Sequence, residues 1–231
     1  MGKRELSLLL LPLLATCTDN PTSVGPPNPQ SVSVLTQHND NTRAGLNDNE
    51  AALTTRNVNV QRFGKVFTIP VDGDVYAQPL VVGHAIGGDR NVVYVATVNN
   101  TVYAVDGDNG TVYWQKNFTR SGMRPPRATD MTGACGGNYN NFSSGIGIVG
   151  TPVIDSTSGT MYFVARSTTG STYVQYLHAV NILNGNEVSG SPKAITASVS
   201  GNGDGSVNGT VTFDPQKENQ RPGLTLLNGI V

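Results

Sequence analysis

From Gln61 onward, short apolar-rich runs alternate with clusters of Gly, Asn and Asp. Five runs stand out early: Lys65 to Val71 (KVFTIPV), Gln78 to Val82 (QPLVV), Val92 to Val98 (VVYVATV), Thr101 to Val105 (TVYAV) and Thr111 to Phe118 (TVYWQKNF). All are rich in Val, Ile, Thr and aromatic residues, which suit a pleated, half-buried surface, so each is predicted to be a strand. Between them lie Asp72-Gly73-Asp74, Asn99-Asn100 and Asp106 to Gly110, residues that favour tight turns. Asn99-Asn100 predicts a two-residue hairpin loop, because both central residues of a type I′ turn take positive φ. Helical periodicity nowhere outlasts a turn or two, and the expected class is all-β.

The order of these runs then recurs. Val149 to Asp155 (VGTPVID) parallels Ala77 to Gly83 (AQPLVVG), with a Pro followed by apolar residues in both. Thr160 to Ala165 (TMYFVA) parallels Val92 to Ala96, Leu177 to Asn181 (LHAVN) parallels Val102 to Asp106, and Gly185 stands where Gly110 stood. A third copy is expected to start at Gly223 (GLTLLNGIV). Self-similarity in fixed order signals a repeat architecture, and four strands per unit with tight turns signals a β-propeller blade. The expectation is a β-propeller with four-stranded antiparallel blades, about two of them plus the start of a third, over residues 36–231. Insertion loops are expected near 120–148 and 200–222. In Val102-Tyr103-Ala104-Val105 successive side chains face opposite ways, and both faces would be covered by neighbouring blades. Pro79 and Pro152 fall early in the first strand of each unit, where a missing N–H is tolerated. Two units and part of a third would leave both lateral edges open. That points to a fragment of a longer protein, with closure by oligomerisation or by a partner chain as alternatives.

Composition sharpens the class. Charged residues make up 13% of the 231, against about 25% in an ordinary soluble domain, and Asn, Thr, Ser and Gly replace them. The net charge is −1 with no basic stripe interleaved with aromatics, so a nucleic-acid partner is not expected. No apolar run reaches the length of a membrane-spanning helix.

The first residues read as an export signal. Lys3 and Arg4 precede an apolar run from Leu6 to Ala15 that is too short to span a bilayer. Leu14-Ala15-Thr16-Cys17 resembles the lipobox of bacterial lipoproteins, in which the Cys becomes the lipidated first residue, so Cys17 is the lipidation candidate. The alternative is a secretory signal cleaved nearby, with Cys17 incidental. Residues 1–17 would then be the signal and residues 18–35, rich in Pro, Ser and Asn, a flexible tether. Cys135 is the other cysteine. It is either a buried free thiol or the partner of a cysteine beyond residue 231.

At Ala104-Val105-Asp106-Gly107-Asp108-Asn109-Gly110-Thr111-Val112-Tyr113-Trp114 the pattern A-x-D-x-x-x-G-x-x-x-W resembles the tryptophan-docking motif of quinoprotein propellers. The resemblance implies that Ala104, Asp106, Gly110 and Trp114 form a structural motif in which the ring packs on the corresponding loop of the next blade. The second copy, Ala179 to Gly185, keeps the Ala, an amide in the acidic position and the Gly, but carries Ser189 in place of Trp. The segment from Asn39 to Val82 is also similar to the opening of exported bacterial proteins with pyrroloquinoline-quinone (PQQ)-like repeats. Enzymes of that superfamily hold PQQ with calcium, a catalytic Asp and often a disulfide of adjacent cysteines. None of these can be aligned to this chain.

Chemistry-bearing patterns are sparse. His38, His84 and His178 lack metal-ligand spacing and are expected to be packed or surface histidines. There is no G-x-S-x-G elbow, no Cys near a His and no phosphate-binding G-x-x-x-x-G-K-[ST]. Asn202, Asp204, Ser206 and Asn208 alternate with Gly like the front of a calcium loop, but Phe213 stands where the bidentate Glu belongs, which leaves Asn202, Asp204 and Asn208 as weak metal candidates. Sequons such as Asn99, Asn117 and Asn141 matter only in a host that glycosylates. The expected function is a non-catalytic exported propeller. It would act as a binding or scaffold module for a protein or glycan of the cell envelope, as a secreted protein or a lipid-anchored one. A propeller lipoprotein of outer-membrane protein assembly is one form of this. The alternative is part of a PQQ- and calcium-dependent dehydrogenase.

Overall fold

In the computed structural model, the described residues are 32–50, 52–86, 90–131, 139, 141–142 and 144–231. The export segment, Cys17 and Cys135 lie outside them. Eight strands make two four-stranded antiparallel sheets, each a simple meander in chain order. β1 (Leu80–Ile86), β2 (Arg90–Ala96), β3 (Thr101–Asp106) and β4 (Val112–Asn117) form the first. β5 (Val153–Asp155), β6 (Thr160–Thr168), β7 (Tyr173–Asn181) and β8 (Lys193–Ala194) form the second. A small hairpin follows, β9 (Ser198–Ser200) with β10 (Thr210–Thr212). Among the described residues the helical content is one 3-10 turn at Ala128–Asp130, and no helix is long and apolar enough to cross a membrane.

Alternation builds the first sheet. In β2, Val92, Tyr94 and Ala96 are buried while Val93 and Val95 are only partly so, the period of two that a strand imposes. β3 is buried along all six residues. One of its faces joins the core through Val102 and Ala104. On the other, the Tyr103 hydroxyl accepts the Asp72 N–H at 3.1 Å. The β2–β3 loop differs from the expected two-residue turn. Thr97 N–H donates to Thr101 O and Asn100 N–H to Thr97 O, so three residues form the loop and only Asn100 takes positive φ (62°). This is a three-residue hairpin loop ending in a left-handed residue.

The main core lies between the sheets. Leu80, Tyr94, Ala104 and Trp114 from the first meet Ile154, Met161, Phe163 and Val180 from the second in one buried cluster. A satellite cluster of Val98, Met131, Phe142, Ile146 and Val149 sits beneath the inter-sheet connection.

Three expectations are corrected by the structure. Lys65 to Val71 is not a strand: residues 65–68 are exposed and no sheet edge pairs with them. The outer edge of β1 is instead taken by Val34, whose N–H and C=O both bond Val81, and Pro70 has no N–H to offer a ladder. Ser33 to Leu35 are therefore part of the sheet region rather than the end of a tether, with Leu35 O accepting the Ile154 N–H at 2.8 Å. Finally, the segment from Gly223 forms no sheet strand. Leu224 is pinned by its N–H to Thr151 O, and its carbonyl accepts from Arg43 Nη2 and Thr36 Oγ1.

Candidate functional site: the joint between the sheets and the cleft beside it

Asp106 ends β3 and organises the turn that follows. Its Oδ1 accepts the N–H groups of Asp108 (2.8 Å) and Asn109 (3.1 Å), the local bonding by which Asp favours turns. Its Oδ2 accepts the Tyr113 hydroxyl at 2.6 Å and Arg90 Nη1 at 2.9 Å. These donors, Tyr113 foremost, lower its pKa to about 2. Gly110 closes the turn, donating to Asp106 O with φ 81°, and a Cβ there would crowd the Phe67 ring at 3.1 Å. The β3–β4 register slips between Ala104 and Val105, leaving Tyr113 as the extra residue. This bulge puts the Tyr113 hydroxyl on Asp106 while its neighbour Trp114 turns into the core.

Trp114 then reaches the second sheet. Its Nε1–H donates to Ile182 O at 2.9 Å, and the Tyr94 hydroxyl donates to the same oxygen at 3.1 Å. The indole lies against Gly185, where a Cβ would come within 2.8 Å of two ring carbons. Gly185 has φ 66° and donates to Asn181 O at 2.8 Å, as Gly110 donates to Asp106 O at 2.9 Å. Asn181 Oδ1 accepts the Leu183 N–H as Asp106 accepts that of Asp108. The ring of the first turn thus sits on the equivalent turn of the second. Ser189, at the position equivalent to Trp114, is exposed.

Beside this joint is a cleft of about 440 Å³, walled by Lys116 to Ser121 on one side and Gly185 to Glu187 with Pro192 on the other. His178 forms part of its lining and is 3% exposed. Its imidazole stacks on Phe163 (5.1 Å between centroids, 7° between planes) and meets Phe118 edge-on at 5.3 Å. Nδ1 lies 2.6 Å from Glu187 Oε1. A carboxylate only accepts, so Nδ1 carries the proton and Nε2, which has no partner, is left as a bare acceptor. Ser191 Oγ donates to the other Glu187 oxygen. Burial pushes the His178 pKa below its ordinary value, with Glu187 opposing and Arg120 adding to the shift. The Arg120 guanidinium lies over the Tyr176 ring at 4.8 Å, and Lys116 Nζ donates to Asn186 Oδ1.

The metal candidates Asn202, Asp204 and Asn208 occupy the exposed β9–β10 loop. That loop is closed from within by Gly201 N–H to Gly209 O and Ser206 Oγ to Gly201 O. Phe213 instead lines a small apolar gap beside β7, and among the described residues no three or more His, Cys, Asp or Glu side chains gather to hold a metal. His38 Nδ1 is 3.3 Å from Arg43 O, and His84 is exposed near the end of β1. Arg166 was not singled out from the sequence. It is 1% exposed, its Nη2 donates to Pro215 O and Gln216 O, and its Nε and Nη1 have no partner. No known family model matches the chain, and no curated protein matches it.

Two outcomes follow from this geometry. Trp114→Ala is expected to cost about 3–5 kcal/mol, as for other buried aromatic truncations. Trp114→Phe, which loses the bond to Ile182 O but keeps a ring, should cost about 1–3 kcal/mol. Urea unfolding reads both, and an unchanged midpoint for Trp114→Ala would show that the ring does not couple the sheets. Because folding favours neutral His178, the unfolded chain binds its proton first as pH falls. The associated stability is complete above the ordinary value of 6.5 and is lost as pH drops towards the lower folded value. Thermal midpoints between about pH 7 and about pH 5 should therefore fall more steeply for the native chain than for His178→Gln. Parallel slopes would remove His178 as the cause.

Proposed function

We propose that this chain is an extracytoplasmic, non-catalytic binding and scaffold module of the quinoprotein-like β-propeller type, its two four-stranded sheets acting as successive blades. One observation carries the reading: Trp114 of one meander rests on the Asn181–Gly185 turn of the next, the counterpart of the Asp106–Gly110 turn that precedes Trp114 in the chain. A ring of one unit seated on its neighbour's equivalent turn joins successive units in the way that a repeat architecture joins them, although the second unit carries Ser189 where such a ring would stand. Residues 1–17 supply export, with Cys17 as the site of lipid attachment. The partners are proteins or glycans of the cell envelope, met through the loops at the rim, where rigid scaffolds commonly place binding residues.

Fold alone does not carry function, so the decisive test concerns the quinone. Calorimetric titration of the full chain with PQQ in the presence of Ca²⁺ is expected to give no saturable heat. Saturable binding at about micromolar concentration would replace the scaffold reading with that of a quinoprotein dehydrogenase. For the anchor, incorporation of labelled fatty acid is expected in the exported protein and lost in Cys17→Ser. Equal labelling of the two would remove Cys17 as the attachment point.

A further inference from the structure

The cleft beside Trp114 has an unusual balance of donors and acceptors. Of its lining side chains, Lys116 and Arg120 are cationic and Glu187 alone is a carboxylate. Both Glu187 oxygens are already committed, one to His178 and one to Ser191. Among the described residues neither Lys116 nor Arg120 forms an ion pair. Arg120 rests on the Tyr176 face, which fixes the guanidinium plane without neutralising it. The other polar groups of the lining are mixed: His178 Nε2 is a buried acceptor, and Asn117 spends its amide hydrogens on Asn99 O and Thr101 Oγ1. Asn186 spends its side-chain oxygen on Lys116, leaving its amide hydrogens, and the Ser121 hydroxyl bonds no other described residue. Phe118 and Pro192 supply short apolar surface between these groups.

A site that offers cations and neutral donors around small apolar patches fits a ligand rich in oxygen acceptors with at least one carboxylate and a C–H face. The volume of about 440 Å³ lies within the range of roughly 300–1,000 Å³ for small-ligand sites. We infer that this cleft binds an acidic glycan, with a uronate carboxylate held by Arg120 and Lys116 and the sugar hydroxyls met by Asn186 and Ser121. The assignment rests on the reading of the chain as a binding module and names the ligand class of its cleft. Bidentate approach by the guanidinium gives geometry as well as charge, while Lys116 acts as a point charge whose contribution is screened by salt. The His178–Glu187–Ser191 chain occupies both oxygens of the one carboxylate on the opposite wall.

Titration of the full chain with trigalacturonic acid tests this, using galactotriose as the uncharged counterpart. Saturable binding of trigalacturonic acid is expected, with galactotriose at least about tenfold weaker, the scale of one lost charge-assisted contact. Arg120→Gln and Lys116→Gln should each weaken binding by about tenfold, and added NaCl should weaken the native chain more than either variant. Arg120 is exposed and the Lys116 head group lies at the cleft surface, so both variants should keep the native melting temperature. Equal affinity for the neutral sugar, unchanged binding in both variants, or no binding of either sugar would each overturn the assignment. If the sugars fail while a purified envelope protein binds the chain, the module reading survives and the acidic-glycan ligand falls. If PQQ binds saturably, it is the module reading that fails.

Discussion

The structure turns on one carbonyl. Ile182 O receives both the Trp114 indole N–H and the Tyr94 hydroxyl, and a second buried bond, Asn100 Nδ2 to Arg166 O, ties the sheets further along. A four-stranded meander alone has one face to bury and nothing to bury it on. Here Val92, Tyr94 and Ala96 of β2, with Val102 and Ala104 of β3, share a single cluster with Met161, Phe163 and Ala165 of β6. Apolar burial supplies the driving force but no direction. The two hydrogen bonds to Ile182 O fix the register between sheets, because a slip would leave a buried indole N–H, a hydroxyl or the carbonyl unpaired.

That constraint explains why the turns are so closely specified. Gly185 has left-handed φ and an indole ring where a Cβ would stand, two independent reasons for glycine. Asp106 must satisfy two backbone N–H groups, a Tyr hydroxyl and an Arg at once, which only an ionised carboxylate with two free oxygens achieves. The bulge at Tyr113 serves both ends: it brings one hydroxyl to Asp106 and turns the next side chain into the joint.

Strands β2, β3 and β4 were legible because alternation, β-branched content and flanking turn residues agree there. Where those signals part, so did expectation and structure. KVFTIPV has the composition of a strand but no partner, since Val34 occupies the edge it would need; sequence pattern describes a face, not the availability of a neighbour. β6 runs on through Arg166, Ser167 and Thr168, all buried. That polar tail resembles a loop until Pro215 and Gln216 from a distant segment cover it. Of the packed or surface positions expected for His178, the structure shows the packed one. The end of β7 alternates, and His178 lies two residues from the fully buried Val180, so a core-facing imidazole was legible in the sequence. Its pairing with Glu187 and the cleft around them was not, because the walls come from 116–121 and 185–192 and meet only once the sheets dock.

The joint and the cleft share parts, and this has a mechanical consequence. Asn181 to Gly185 seats the Trp114 ring, and the same turn continues into Asn186 and Glu187, which form one wall of the cleft. β4 carries Trp114 into the core and, two residues on, presents Lys116 to the other wall. The bond from Trp114 to Ile182 O therefore anchors the two segments from which the cleft walls continue, 118–121 after β4 and 185–187 after β7. A site whose walls are positioned by buried packing loses little conformational freedom when a ligand enters, which favours affinity in proportion to the ordering already complete. Phe118 extends the same logic. It packs edge-on against both Phe163 and His178, so the floor of the cleft is also the end of the inter-sheet core.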